Sequence, residues 1–232
     1  MCGRFAQVIV YKELKKLQDE LKIISNSEQV EISFNVAPTH TVSAVVVKEG
    51  IRYLGSFRWG LIPSWMHELP AHAMINIRSE TITQKPSFKV SFLRRRCIIP
   101  ANGFYEWRKA DKQPYFIHAV GEDLIYMAGI YDTWESPDGS YIPSLGIITT
   151  MANNVVGHIH DRMPLLLSPR TRNTWLNPSV QDISTLHPLL TPDNDIELEM
   201  YPVSPKVNSI RHNDAECMQR ISNSEKQADI FG

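Results

Sequence analysis

Cysteine is scarce in this chain: Cys2, Cys97 and Cys217 are the only 3 in 232 residues, widely spaced and never in a C-x-x-C pair. An odd, scattered set excludes a disulfide framework and a thiolate zinc site, and it points to a reducing compartment, cytoplasmic or, in a eukaryote, nuclear. Long hydrophobic runs are missing as well. No stretch approaches the ~18 uninterrupted apolar residues of a membrane span, and the first residues lack the basic-then-apolar pattern of a secretory signal. Neither a membrane partner nor export is expected. Net charge is nearly absent, −1 from 24 Lys+Arg against 25 Asp+Glu. Any contact with nucleic acid must therefore come from local clustering, for which Arg4, Arg58, Arg78, the run Arg94-Arg95-Arg96 and Arg162 are candidates. Internal repeats, low-complexity tracts and a dividing linker are also lacking. One domain over 1–212 is expected, with the polar, aperiodic stretch 213–232 as a loosely held tail.

What is present has an ordinary globular balance, 43% hydrophobic and 21% charged, enough for a substantial core. In YKELKKLQDELKII, residues 11–24, Leu14, Leu17, Leu21 and Ile24 recur at helical spacing and predict an amphipathic surface helix. Beyond it come short β-rich runs separated by Pro, Gly and Asn: VSAVVV, YLGSFRW, RCII, GFYEW, PYFIH, LIYMAGI, SLGIITT and LEMYPVS. Their spacing predicts a curved, mainly antiparallel sheet with a barrel-like core. Short helices fit at SPRTRNTWL, with Ser168 as N-cap and Pro169 first in the helix, and at QDISTLHPLL. The fold class is α+β, with peripheral helices.

Several islands carry reactive or geometrically special residues. In MCGRF, Cys2 is either a small buried hydrophobe or, once Met1 is removed, a residue bearing a thiol and a free α-amine together. Alternation in GFYEW puts Glu106 on the face of Phe104, as a rim carboxylate or a desolvated acid able to donate a proton. HIHDRMP holds His158 and His160, which on a strand could share a metal, but no third ligand is suggested by the spacing; a single proton-shuttling histidine, or one that fixes a loop, also fits. In INIRSET an extended backbone would point Asn76, Arg78 and Glu80 the same way, as an amine-orienting amide and a phosphate grip or as an ordinary polar edge. Within WGLIPSW, Trp59 reads as core and Trp65 as core or a shelf for stacking bases.

In this order MCGRF, N-x-A-P, WGLIPSW, N-x-R-S-E-T, GFYEW and HDRMPL resemble the SOS-response-associated peptidase (SRAP) family, from Cys2 to about Leu167 with a weaker echo at YPVS. The resemblance implies covalent capture of abasic sites in single-stranded DNA through the N-terminal cysteine, in a DNA damage response, by a monomer with no cofactor and no metal. Motif by motif, it implies Cys2 as nucleophile with Asn76, Glu106 and His160 as the active-site groups, and Arg4, Arg78 and Arg162 at DNA contacts. Ile77 replaces a frequent Ala and would point away from the site, while Met66 follows Trp65 where some relatives carry a second aromatic. A free α-amine, with a reference pKa of about 7.7 to 8.0, is partly neutral at physiological pH. On this reading it attacks C1′ first, and the thiol closes the imine into a thiazolidine that blocks strand cleavage. Removal of Met1, by the chain itself or by an aminopeptidase, is a precondition. Two other classes stay open: an N-terminal-nucleophile hydrolase (glutaminase or peptidase) and a non-covalent reader of modified DNA.

Overall fold

The computed structural model describes residues 2–26, 30–192 and 195–221. Met1, whose removal is expected, and 222–232 of the expected tail lie outside the described residues. The strands are β1 (Arg4–Gln7), β2 (Ser25–Asn26), β3 (Ser33–Val36), β4 (Thr41–Lys48), β5 (Ile51–Trp59), β6 (Asn76–Arg78), β7 (Arg96–Ala101), β8 (Gly103–Trp107), β9 (Pro114–Ala119), β10 (Ile125–Glu135), β11 (Tyr141–Met151), β12 (Arg162–Pro164) and β13 (Leu198–Pro202). The α-helices are α1 (Tyr11–Leu21), α2 (Pro86–Arg94), α3 (Pro169–Leu176) and α4 (Ile183–Leu186).

Two sheets carry the α+β fold. In the larger, β11-β10-β7-β4-β5 are hydrogen-bonded in sequence, and β5 returns to β11 through a parallel pairing of Arg58 with Ser144 and Trp59 with Leu145. The strands thus close into a small barrel, which removes two open edges. The smaller sheet is antiparallel throughout, in the order β13-β9-β8-β1-β3. At Gly103 a Cβ would lie 2.4 Å from the Ile117 carbonyl oxygen, so glycine is what lets β8 approach β9.

Alternation sorts the core into layers. Val42, Ala44 and Val46 of β4 join a cluster with Phe5, Phe104 and Ile117 of the smaller sheet. Val45, between them, joins Leu17, Leu21, Phe92 and Trp175 of the covering helices. A third cluster, Tyr105, Phe116, Val203, Val207 and Cys217, seats the C-terminal segment on the smaller sheet.

The expected helix over 11–24 forms but stops early. Lys22 takes a left-handed conformation, φ 54°, which ends the turn and leaves Ile24 77% exposed. The helix α2 was not expected at all; Pro86 at its first position is its N-terminal mark. The tail expected from 213 is corrected over its first part. Asn213 Oδ1 accepts from the Phe34 and Asn35 backbone N–H groups at 2.7 and 3.1 Å, and Cys217 is buried.

Candidate active site

Cys2 lies just ahead of β1 and is fully buried. Its carbonyl accepts a 2.8 Å hydrogen bond from Asn76 Nδ2, and its thiol points toward the Arg4 carbonyl at 3.7 Å. Burial pushes the thiol pKa well up, and the Glu106 carboxylate pushes it further. Glu106 belongs to β8, which pairs with β1 so that Phe5 faces Phe104. It is 3% exposed, which decides between the two readings of GFYEW: this is a buried carboxyl, not a rim residue. Oε1 accepts from the Trp107 N–H at 3.3 Å.

Asn76 opens β6, a three-residue strand laid parallel to β11 with Asn76 opposite Ile147. Ile77 points away into the helix-side core, as its alternation requires. The amide is oriented by the Cys2 carbonyl, and Asn76 Oδ1 is buried with no hydrogen-bond partner among the described residues.

His160 follows a 3₁₀ turn over Val156–His158, so His158 and His160 are not strand neighbours and the shared-metal geometry does not arise. Among the described residues no group of three or more His, Cys, Asp or Glu could hold a metal ion. Nδ1 of His160 lies 3.0 Å from the Arg162 backbone nitrogen and 3.2 Å from the Arg162 carbonyl oxygen, so that edge of the ring is tied to its own loop. Two ties bring this segment to the Cys2 end of the smaller sheet. Ile159 shares the apolar cluster of Cys2 and Phe104, and Asp161 pairs with Lys109, just beyond β8.

The expected DNA-contacting residues differ in what already holds them. Arg78 is exposed and makes no side-chain hydrogen bond among the described residues. Arg4 Nη1 donates to Asn35 Oδ1 at 2.7 Å and to the Val207 carbonyl at 2.8 Å, and Nη2 to the Asn208 carbonyl at 3.1 Å. Arg162 grips both oxygens of Glu80, at 2.8 and 3.0 Å. Glu80 therefore does not extend the strand past Arg78; it sits in a 3₁₀ turn over Ser79–Thr81. Trp59 is core, its indole donating to the Ile75 carbonyl at 3.0 Å. Trp65 is 61% exposed on a loop pinned by Ser64 N–H to Asp132 at 2.9 Å and by the Trp134 indole to the Met66 carbonyl at 2.6 Å.

Sequence reasoning missed Asn35, the polar residue of N-x-A-P. It is 1% exposed, holds Arg4, and donates to the carbonyls of Val207, Ser209 and His212 at 3.1, 3.1 and 2.7 Å. The N-x-A-P motif marked its place but not its role, because the three carbonyls it serves lie more than 170 positions away.

Comparison with known proteins is consistent across sequence and fold. The sequence model of the family described as "SOS response associated peptidase (SRAP)" matches residues 1–210. The abasic site processing protein YoqW of Bacillus subtilis is 37% identical over 225 residues, covering 94% of this chain and 99% of that protein. The abasic site processing protein HMCES of Xenopus tropicalis is 34% identical over 206 residues, covering 76% of this chain and 60% of that one. A crystal structure of a Bacteroides thetaiotaomicron protein superposes with a TM-score of 0.81 at 27% identity, over 95% of this chain and 100% of that one.

Proposed function

The chain belongs to the SOS response associated peptidase (SRAP) family, and from that premise we propose that it captures abasic sites in single-stranded DNA as a covalent thiazolidine on Cys2. The observation that carries this reading is the setting of Cys2. Asn76 fixes its carbonyl, and Glu106 is buried on the strand that pairs with β1. The Asn76 Oδ1 left without a partner is an acceptor suited to an α-amine on the same residue.

The chemistry follows from the two nucleophiles. Once Met1 is gone, the neutral α-amine adds to the C1′ aldehyde of the ring-opened sugar, and loss of water gives an imine. The thiol then adds across the imine, sulfur to C1′ and its proton to nitrogen, closing a five-membered ring. An imine alone would promote β-elimination and strand cleavage; the closed ring removes that electron sink. His160 serves proton transfer in sugar opening and dehydration, Glu106 acid/base control of the amine, and Asn76 its orientation. Arg78 is the readiest phosphate contact, with Arg162 and Arg4 beside the site and Trp65 as a stacking surface.

The test is a single-stranded oligonucleotide with one uracil, treated with uracil glycosylase, incubated with protein whose mass shows Cys2 at the N-terminus, and run on a denaturing gel. A shifted band is expected, and Cys2→Ala should give one only after borohydride. No band from the mature protein, or ammonia released from glutamine, would overturn the reading.

A further inference from the structure

Glu80 has no part in the reaction described above, yet its carboxylate sits on a guanidinium assigned to DNA. Both of its oxygens are taken by Arg162, Nη1 at 2.8 Å and Nη2 at 3.0 Å. The far side of Nη2 is fixed by the Thr149 carbonyl at 2.6 Å, and Arg162 Nε is buried with no hydrogen-bond partner among the described residues. The two-pronged edge that suits a phosphate is therefore the edge that Glu80 covers. Burial is lopsided: the Arg162 side chain is 13% exposed and the Glu80 side chain 45%. The guanidinium is built into the wall, while the carboxylate approaches from solvent on a single short turn.

We propose that Glu80 is a resident stand-in for a DNA phosphate on Arg162, displaced when a strand binds, and that it keeps the protein from dwelling on undamaged DNA. This rests on the phosphate role proposed for Arg162. The hydrogen bond from Arg162, with the charges of Arg162 and Arg78 behind it, holds the Glu80 carboxyl below its ordinary pKa. The stand-in is thus ionised at any physiological pH and competes throughout. Each non-covalent encounter must break the Arg162–Glu80 pair before the arginine can hold the strand. An intact strand then leaves readily, whereas an abasic site is retained by the bond to Cys2.

The experiment measures anisotropy of a labelled single strand lacking any abasic site, with mature wild-type protein, Glu80→Gln, Arg162→Ala and the double variant. With its competitor's charge removed, Glu80→Gln should tighten binding by up to about fivefold. In the Arg162→Ala background the same change should have little effect. In the presence of excess intact single strand, Glu80→Gln should capture an abasic oligonucleotide more slowly than wild type despite binding more tightly. Weaker or unchanged binding by Glu80→Gln would overturn the proposal, because Glu80 would then only support Arg162. Equal tightening in both backgrounds would overturn it as well, being a long-range charge effect. If Arg162→Ala alone leaves affinity unchanged, the phosphate role of Arg162 has failed and the Glu80 proposal fails with it, while covalent capture on Cys2 is untouched. Should Arg162→Ala not fold, the Glu80 carboxyl ¹³C resonance of the wild-type protein decides. Titration with a short single strand should move it toward that of an unpaired glutamate, and a resonance that stays in place overturns the proposal.

Discussion

Glu106 and His160 stand on different elements, and under the proposed function their variants should fail differently. Glu106 is a buried carboxyl on β8, the strand that pairs with β1 beside Cys2. His160 is half-buried on a loop, with Nδ1 held against the Arg162 backbone. If His160 opens the sugar, a substrate with a free aldehyde and no ring should restore much of the rate lost in His160→Ala. It should restore little in Glu106→Gln, which is expected to slow both formation and reversal because one group serves both directions. Stopped-flow rates with the two substrates measure this, and equal rescue of both variants would reverse the assignment. At this scale motif order singled out Cys2, Asn76 and Glu106, and the fold joins Asn76 to Cys2 by a hydrogen bond and buries Glu106. The sequence was not legible where a side chain's partner is remote. The run Arg94-Arg95-Arg96 looks like a basic patch, but only Arg94 is exposed. Arg95 pairs with Asp132, and Arg96 donates to the carbonyls of Phe92, Leu93, Trp175, Asn177 and Val180, knitting α2 and α3 to the barrel.

Among elements, the C-terminal segment matters more than its polar composition suggests. The turns over Pro205–Asn208 and Ala215–Met218 close over the smaller sheet, and Asn35 is the post to which they are tied. Asn35→Ala would leave several carbonyls and an Arg4 donor without partners, at about 1–3 kcal/mol for each group that water cannot reach. A loss of about 2–4 kcal/mol in urea unfolding is expected on that basis, with amide exchange rising first over 204–221. Uniformly raised exchange across both sheets would show that the segment does not depend on Asn35. Local pattern disclosed the β-rich runs and the buried face of α1, because a two- or 3.6-residue period is written in consecutive residues. The end of α1 was hidden because a left-handed lysine leaves no mark in the sequence. The parallel seams of β6 and β5 against β11 were hidden because pairing between distant strands has no local signature.

For the molecule as a whole, a formal charge of −1 means that affinity for a polyanion must be gathered locally. Under the proposed function, the arginines differ in how free they are to do so. Arg4 and Arg162 already have internal partners, whereas Arg78 is exposed on the strand that carries Asn76. Arg78→Ala should therefore weaken single-strand binding uniformly across sequences and lower the logarithmic salt slope by about 0.7, one phosphate contact. Anisotropy titrations between low and moderate salt give the slope directly, and an unchanged slope would remove Arg78 from the footprint.

The position of β1 has a mechanical consequence. This strand is not at an edge: β8 bonds to one side of it and β3 to the other, and Cys2 stands at its start. Under the proposed function, a nucleic-acid strand joined to Cys2 would be anchored to an interior strand of a sheet. A motor hauling on that strand would load two ladders of backbone hydrogen bonds together, and short of chemical reversal of the bond, β1 would have to tear free of both neighbours.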